Sequence, residues 1–255
     1  MIFDTHAHYN DAQFDGDRDA LLSSMNKNGV GLIMNACSSL HEMPLILQLC
    51  EKYPFMYGAV GIHPEEVEGA EPGYLDRIRE YAKHPKIKAV GEIGLDYHWT
   101  VQTKAEQHRI LGEQVDLARE LKLPVIIHDR DAHGDCLRIL KEHKAYECGG
   151  VFHCYSGSRE MVREVTEELN MYIAFGGSLT FKNAKKPREA AAAVPLDRLL
   201  IETDCPYMAP VPYRGKRNSS LYLHEVVRLL AELRGLSPEE TKKITEENGR
   251  KLFGI

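Results

Sequence analysis

Eight short apolar runs alternate with helix-like segments along the chain, and this alternation restricts the fold more than any other feature. The apolar runs cover residues 2–5, 30–36, 55–61, 87–93, 124–128, 149–153, 171–175 and 198–202. The helix-like segments cover 17–28, 42–53, 72–83, 103–121, 131–144, 158–169, 187–193, 219–234 and 237–252. Strands that alternate with helices form a parallel sheet. Right-handed crossovers can close eight such strands into a barrel.

The length and punctuation of the chain agree with a single barrel. It has 255 residues, close to the roughly 250 that a (β/α)8 barrel needs. Pro124 opens one strand, and Ser237 with Glu240 predicts a capping box at the start of the last helix. No linker or repeat interrupts the pattern. We therefore predict an α/β fold, a single TIM-like (β/α)8 domain spanning residues 1–255.

Bulk composition excludes several classes of function. The formal net charge of −6 argues against wrapping long duplex nucleic acid by overall charge. No apolar run approaches the roughly 20 residues of a membrane helix, and a strand begins at Ile2 with no export signal before it. The six cysteines show no C-x-x-C spacing, which favours reduced thiols. We expect a cytoplasmic enzyme without membrane association or an obligate protein partner.

Histidine or acidic residues stand at the ends of six apolar runs. They are His6 and His8, His63, Glu92, His128, His153 and Asp204. Imidazole and carboxylate suit zinc, manganese or magnesium, and the carboxyl ends of barrel strands meet at one face. An open doubly wound sheet would bind ligands at one switch point. Only a closed ring brings the first and eighth strands together, so the pattern favours a barrel with a metal centre at that face.

The first strand carries an H-x-H pair. His6 and His8 are two residues apart, so their side chains point to the same face of a strand, and Asp4 shares that parity. Together they predict the start of a metal site, with a buried hydrogen-bonded pair as the alternative. Glu92 lies between Gly91 and Gly94, and its two oxygens could bridge two cations. The alternative for Glu92 is a pair with a basic residue.

Three other strand ends extend the predicted site. Asp204 could ligate the metal that His6 and His8 hold, or accept a proton from water, while Glu202 lies deeper and supports the ligands. For His63 we favour a role in positioning substrate or stabilising negative charge over ligation. Taken singly, His128 or His153 could be a buried core residue whose hydrogen bonds are made within the protein. Two such histidines on consecutive strands favour metal ligation instead.

The second ring nitrogens of the histidines need partners of their own. Tyr155, Ser156 or backbone carbonyls are candidates, and the sequence does not choose among them.

These residues resemble the TatD family of metal-dependent deoxyribonucleases, which are amidohydrolase-like metal-dependent hydrolases. The matching segments are 3–8 (FDTHAH), 61–64 (GIHP), 91–97 (GEIGLDY), 128–130 (HDR), 153–157 (HCYSG), 202–207 (ETDCPY) and 214–218 (RGKRN). The resemblance implies a two-metal centre, with Zn²⁺, Mg²⁺ or Mn²⁺ as its ions. It also implies hydrolysis of DNA by a metal-activated water, with 3′–5′ exonuclease action on single-stranded or frayed ends as the expected form. The implied ligands are His6, His8, Glu92, His128, His153 and Asp204, with Glu92 as the bridge.

The chain departs from the family pattern at one place. Ser219 and Ser220 follow the RGKRN segment, where the family usually has Glu-Pro. We expect this change to affect a helix cap or a local contact rather than the chemistry.

Basic and aromatic residues near the strand ends predict contacts with DNA. Arg130, Arg214 and Lys216, together with Arg217, could contact phosphates. Tyr97, or His98 and Trp99 after it, could stack an unpaired base. A basic run after the seventh strand would lie at the same face; it comprises Lys182, Lys185, Lys186 and Arg188. The alternatives are solvated charges and an aromatic side chain that packs a loop.

Two other functions compete with a nuclease. A metal-dependent hydrolase of a small amide, ester or lactone would use the same ions, but many such relatives bridge them with a modified lysine on the fourth strand. Here Glu92 occupies that strand and no lysine follows it there. A non-catalytic barrel that binds nucleic acid or a partner would be marked by lost ligands, and none is lost.

Overall fold

Eight parallel strands lie side by side in chain order in the computed structural model, which describes all residues 1–255. The strands are β1 (Ile2–Ala7), β2 (Val30–Ala36), β3 (Met56–Val60), β4 (Ile87–Asp96), β5 (Val125–Arg130), β6 (Gly150–Phe152), β7 (Met171–Phe175) and β8 (Leu199–Ile201). The helices are α1 (Arg18–Ser23), α2 (Met43–Lys52), α3 (Tyr74–Ala82), α4 (Lys104–Leu121), α5 (His133–Glu142), α6 (Met161–Arg163), α7 (Lys185–Ala193), α8 (Leu223–Arg234) and α9 (Pro238–Phe253). The predicted (β/α)8 TIM-like barrel is confirmed.

The barrel closes where β8 meets β1, through a seam rather than a full strand pair. An isolated parallel bridge joins Ala7 to Cys205, and the backbone N–H of Asp204 donates to the His6 carbonyl at 3.0 Å. The Asp4 carboxylate accepts hydrogen bonds from the Thr203 hydroxyl at 2.7 Å and the Ser220 hydroxyl at 2.6 Å. Side-chain hydrogen bonds therefore join β1 to the segment after β8, where backbone pairing is limited to a single bridge.

The seam corrects one expectation from the sequence. From its parity, Asp4 was expected on the same face of the strand as His6 and His8, but its side chain is buried at the seam, where it bonds Thr203 and Ser220. The register of β1 against β2 shifts between Asp4 and Ala7. A shift of one residue reverses the face on which a side chain lies, so the alternation that predicts a shared face does not hold across this stretch.

Apolar packing holds the strands inside a shell of helices. α4 buries Ile110, Leu111 and Val115 against the barrel, as its spacing predicts. A second, smaller cluster is formed by other positions of the strands together with Phe253 of α9. Its members are Phe3, Leu32, Met34, Ala36, Ala59, Ala89, Ile126, Val151, Tyr172, Ala174, Leu200 and Phe253. The histidines and carboxylates of the predicted site belong to neither apolar cluster.

Several boundaries differ from the predicted ones. β4 continues to Asp96 because residues 93–96 pair with residues 127–130 of β5. The predicted helix over 158–169 begins at Met161 and continues from Glu164 as a π-helical turn. The capping box at Ser237 and Glu240 is present as predicted. No helix has the length and apolar character needed to span a bilayer.

Candidate metal centre

All six predicted ligands meet at the carboxyl ends of the strands, in one buried cluster with His63. β1 brings His6, β4 brings Glu92, and β5 brings His128. His8 and His153 directly follow β1 and β6, and Asp204 lies three residues beyond the end of β8. Rigid strand ends hold each side chain, as a site of fixed geometry requires.

One half of the cluster, which we call the β1/β8 group, consists of His6, His8 and Asp204. The Nε2 atoms of His6 and His8 are 2.9 Å apart. They lie 3.7 and 3.3 Å from Asp204 Oδ1, and 3.1 and 3.4 Å from Glu92 Oε2. Atoms about 2.0–2.2 Å from a shared ion lie roughly 3–3.5 Å from each other. The spacing of the β1/β8 group therefore fits one bound cation.

The other half, the β5/β6 group, consists of His128 and His153. His128 Nδ1 and His153 Nε2 are 3.2 Å apart, and each lies 2.8 Å from Glu92 Oε1. The two oxygens of Glu92 thus face different halves of the cluster. This is the geometry of a carboxylate that bridges two cations.

His63 approaches the same carboxylate in a different role. Its Nδ1 accepts a hydrogen bond from the Glu65 backbone N–H at 3.2 Å, at the start of a 3-10 helix. That bond places the ring proton of the neutral imidazole on Nε2, which lies 3.3 Å from Glu92 Oε1. A protonated Nε2 donates a hydrogen bond and cannot ligate a metal, so the geometry supports the positioning role over ligation.

Buried carboxylates orient the histidines from behind. Asp96 Oδ2 hydrogen-bonds to His128 Nε2 at 3.1 Å, whereas Glu202 Oε1 lies at an ion-pair distance of 3.5 Å from His153 Nδ1 without a hydrogen bond. Carboxylates in this position fix the ring orientation and raise ligand basicity. His8 Nδ1 instead contacts the Ala36 carbonyl at 3.0 Å, one of the backbone partners considered from the sequence.

The side-chain partners suggested by the sequence were wrong. Tyr155 donates its hydroxyl proton to the Ser158 carbonyl, and the Ser156 hydroxyl contacts the Asp129 carbonyl. Asp96 and Glu202 take the place that Tyr155 and Ser156 were considered for. In the sequence, each of these two acids stands close to a predicted ligand, Asp96 near Glu92 and Glu202 near Asp204.

Imidazoles alone balance the negative charge of the cluster, since no lysine or arginine contacts it. Burial disfavours the charged imidazole, but hydrogen bonds to Asp204 and Glu92 outweigh it and raise the pKa of His8 to about 10. Against the same burial, hydrogen bonds to Asp96 and Glu92 raise the pKa of His128 to about 9. The surrounding histidines hold the pKa of Glu92 well below its usual value despite burial.

The donor set fits divalent metal ions. Three sets of residues each offer ligand atoms that lie within 4.8 Å of one another inside the set. The sets are His6, His8 and Glu92; His63, Glu92 and His128; and His6, His153 and Glu202. Four buried atoms of the protein have no hydrogen-bond partner, and three of them belong to this cluster: His6 Nδ1, His153 Nδ1 and Glu202 Oε2. Buried imidazoles and carboxylates with unmet polar atoms are the kind of donors that bind divalent cations in proteins. Imidazole-rich sites suit zinc or manganese better than magnesium.

Metal affinity is expected to rise steeply with pH. Without metal, the raised pKa values keep His8 and His128 protonated near pH 7, and the cation bound in each half of the cluster must displace the proton of its own histidine. The apparent dissociation constant for Zn²⁺ should therefore fall by at least roughly tenfold per pH unit between pH 6 and pH 8. Competition with a chromophoric chelator at a series of pH values measures this slope. An affinity that does not change with pH would contradict the assignment.

The predicted substrate contacts lie around this cluster but do not all face it. The Tyr97 hydroxyl contacts Asp135 and His108 on the outer helices, with Lys104 over its ring. Trp99 is 60% exposed, and the Arg130 guanidinium lies 5.5 Å from its ring centroid. The structure therefore leaves Trp99 more open to a ligand than Tyr97.

The loop after β8 carries the other predicted contacts. The Arg214 guanidinium lies 4.0 Å from the centre of the Phe181 ring, and Lys216 is exposed. Arg217 instead forms an ion pair with Asp17 at 2.6 Å. Arg214 and Lys216 are thus accessible to a ligand, whereas Arg217 is neutralised by its ion pair with Asp17. Ser220 bonds Asp4 and the Tyr9 hydroxyl, the local contact expected of the Ser219-Ser220 change.

Comparison with known proteins finds similarity over the whole chain. A family profile described as "TatD related DNase" matches residues 3–254. An uncharacterized metal-dependent hydrolase of Bacillus subtilis, YabD, is 43% identical over 100% of both chains. The 3'-5' ssDNA/RNA exonuclease TatD of Salmonella typhimurium is 31% identical over 100% of this chain and 99% of its own. The crystal structure of YJJV, a TatD homologue from Escherichia coli, superposes with a TM-score of 0.93 at 33% identity, covering 100% of this chain and 98% of that one.

Proposed function

Because the chain belongs to the TatD-related DNase family of metal-dependent hydrolases, we propose that it is a deoxyribonuclease that removes nucleotides from the 3′ ends of single-stranded or frayed DNA. The observation that carries this proposal is Glu92. Its two oxygens face two separate ligand groups, 2.8 Å from His128 on one side and 3.1 Å from His6 on the other. A bridged pair of ions is suited to displacement at a phosphodiester. Two relatives named 3'-5' ssDNA/RNA exonuclease TatD support the choice of substrate and polarity.

The β1/β8 group and the β5/β6 group would each hold one divalent cation, with Glu92 shared between them. Such a pair supplies a strong nucleophile from water and neutralises charge on the phosphate oxygens. The imidazole-rich ligands favour Zn²⁺ or Mn²⁺ over Mg²⁺.

The protein's own residues would supply proton transfer and positioning. Asp204 is the carboxylate of the cluster with an accessible side chain, 19% exposed against 3% for Glu92 and 1% for Glu202. It can therefore accept the proton of the attacking water. His63 donates its Nε2 proton toward the centre and can bind a phosphate oxygen. Arg130, Arg214 and Lys216 would bind neighbouring phosphates, and Trp99 rather than Tyr97 would stack a base.

A substrate panel tests the proposal. We expect metal-loaded protein to shorten a 5′-labelled single strand from its 3′ end, at least about tenfold faster than a blunt duplex, because an unpaired end reaches a recessed site without the cost of unpairing. Gel analysis of product lengths gives polarity and rate together. The same preparation is assayed on a panel of small esters and amides.

Purified Asp204→Asn serves as the control for contaminating nucleases, since it passes through the same purification. Equal rates on a closed circular duplex and on a short single strand would contradict end trimming. Turnover of an ester or amide without any cleavage of DNA would replace the nuclease with a hydrolase of small molecules.

A further inference from the structure

The loops that surround the metal centre divide sharply by charge. The loops after β1, β2 and β3 cover residues 8–17, 37–42 and 61–73. They contain eight carboxylates and no lysine or arginine. Four of the eight, Glu65, Glu66, Glu68 and Glu71, are exposed in the loop after β3, and no lysine or arginine forms an ion pair with them. This half of the rim, the acidic half, presents uncompensated negative charge.

The opposite half of the rim carries uncompensated positive charge. Six exposed cations lie there without a carboxylate within ion-pair distance, from the end of β5 to the loop after β8. They are Arg130, Arg159, Lys182, Lys186, Arg214 and Lys216. The acids at these strand ends and loops outside the metal centre are Asp129, which pairs with His133, Asp131, which pairs with His98, and Glu160. We call this side the basic half.

The ring places the two halves across the metal centre from each other. Because the strands follow chain order around a closed barrel, β3 lies opposite β7. The loop after β3 contains His63, whose Nε2 is 3.3 Å from Glu92 Oε1. The loop after β7 carries Lys182, and Lys186 follows at the start of α7. A strand that crossed the mouth from β7 to β3 would therefore pass from the basic half over the metal centre to the acidic half.

Aromatic side chains mark the two ends of the basic half. Trp99, after β4, is 60% exposed with Arg130 beside it, and Tyr207, after β8, is 51% exposed. The Arg214 guanidinium rests 4.0 Å from the Phe181 ring centre, beside the same end. Cations interleaved with exposed aromatic rings are the surface that binds an unpaired nucleic-acid strand through its phosphates and bases.

We propose that this division of charge makes the enzyme end-directed: a single strand lies along the basic half, and the acidic half rejects any backbone that continues past the metal centre. The inference rests on the proposed nuclease function. Like charges placed together are strongly unfavourable and exclude wrong binding modes. A terminal nucleotide sends no further phosphates toward the acidic half. An internal segment must lay successive phosphates along it.

Removing the acidic barrier tests this directly. The variant Glu65→Gln/Glu66→Gln/Glu68→Gln/Glu71→Gln is expected to cut a circular single strand at least about tenfold faster than the unaltered protein. Its rate on a linear strand should change much less. The ratio of circular to linear rates, measured under identical metal and salt conditions, is the readout.

The matched control removes the same charge elsewhere. Glu80→Gln/Asp197→Asn/Glu239→Gln/Glu247→Gln neutralises four exposed acids on outer helices and a loop before β8. Its circular-to-linear ratio should equal that of the unaltered protein. Equal ratios for the two quadruple variants would overturn the inference while leaving a nuclease in place. If none of the proteins cuts the linear strand, the proposed function fails and the inference falls with it.

The basic half is tested by salt dependence. The Asp204→Asn background prevents cutting. In it, the added changes Lys182→Gln and Lys186→Gln should make the decline of log affinity with log salt less steep. For two phosphate contacts on a single strand, the magnitude of this slope should decrease by about 1.4. Fluorescence anisotropy of a labelled oligonucleotide measures it. An unchanged slope would show that the strand does not lie on this half and would overturn the inference.

Discussion

Asp204→Asn is expected to fold normally and to lose nearly all hydrolysis, by about 10²–10⁴-fold if proton transfer is the function removed. Asp204 Oδ1 faces His8 at 3.3 Å, and its side chain is the accessible carboxylate of the cluster. Its backbone is left-handed, with φ of 57°. Asparagine adopts this conformation more readily than most residues, so the variant keeps the shape and removes only the charge.

Metal content separates the two roles of Asp204. The β5/β6 group does not include Asp204, so the variant should retain at least the ion that His128 and His153 hold. Asp131→Asn is the matched control, because Asp131 is also left-handed, with φ of 56°, and lies on the same face. That variant should cleave DNA at the unaltered rate. If Asp204→Asn cleaved at a similar rate with both ions bound, the proposed role would be wrong and Glu202 would be the next candidate for the proton acceptor.

Glu92→Gln is expected to lose metal and activity together. The ionised carboxylate places one oxygen in each half of the cluster, whereas an amide offers an oxygen to one half and an N–H₂ to the other. A bound cation contributes several kcal/mol of charge stabilisation, and each 1.36 kcal/mol corresponds to a factor of ten. The rate should therefore fall by at least about 10³-fold.

Elemental analysis after metal loading and gel filtration measures the loss. About two ions per chain are expected in the unaltered protein and at most about one in Glu92→Gln. Glu42→Gln, a glutamate on the same face that bonds the Ser38 backbone N–H, should change neither quantity. Two tightly bound ions in Glu92→Gln would show that another group bridges them.

The sequence predicted the ring and the place of the site because both depend on local patterns. Each ligand stands at the end of an apolar run, and a parallel barrel collects such ends at one face. His6 and Asp204, 198 positions apart in the chain, could be assigned to one cluster since the first and last strands of a closed ring must meet. Those six side chains do converge in the structure.

Details that depend on register and side-chain direction were beyond the sequence. A shift in β1 carries Asp4 to the seam, and no periodicity reports such a shift. Tyr97 and Trp99 look equivalent in the sequence, yet the Tyr97 hydroxyl is held by the outer helices while Trp99 remains open. Arg217 belongs to a basic segment, but its partner Asp17 lies 200 positions away. Only the folded chain shows which of these charges and rings are already in use.

The seam between β8 and β1 has a consequence for how the protein is made. A ribosome delivers β1 long before β8, and the β1/β8 group requires residues from both, since His6 and His8 precede β2 and Asp204 follows β8. A nascent chain that has not yet released residue 204 lacks the proposed proton acceptor. Synthesis interrupted anywhere before that point therefore yields fragments without a complete β1/β8 group, and the proposed activity requires translation to pass residue 204.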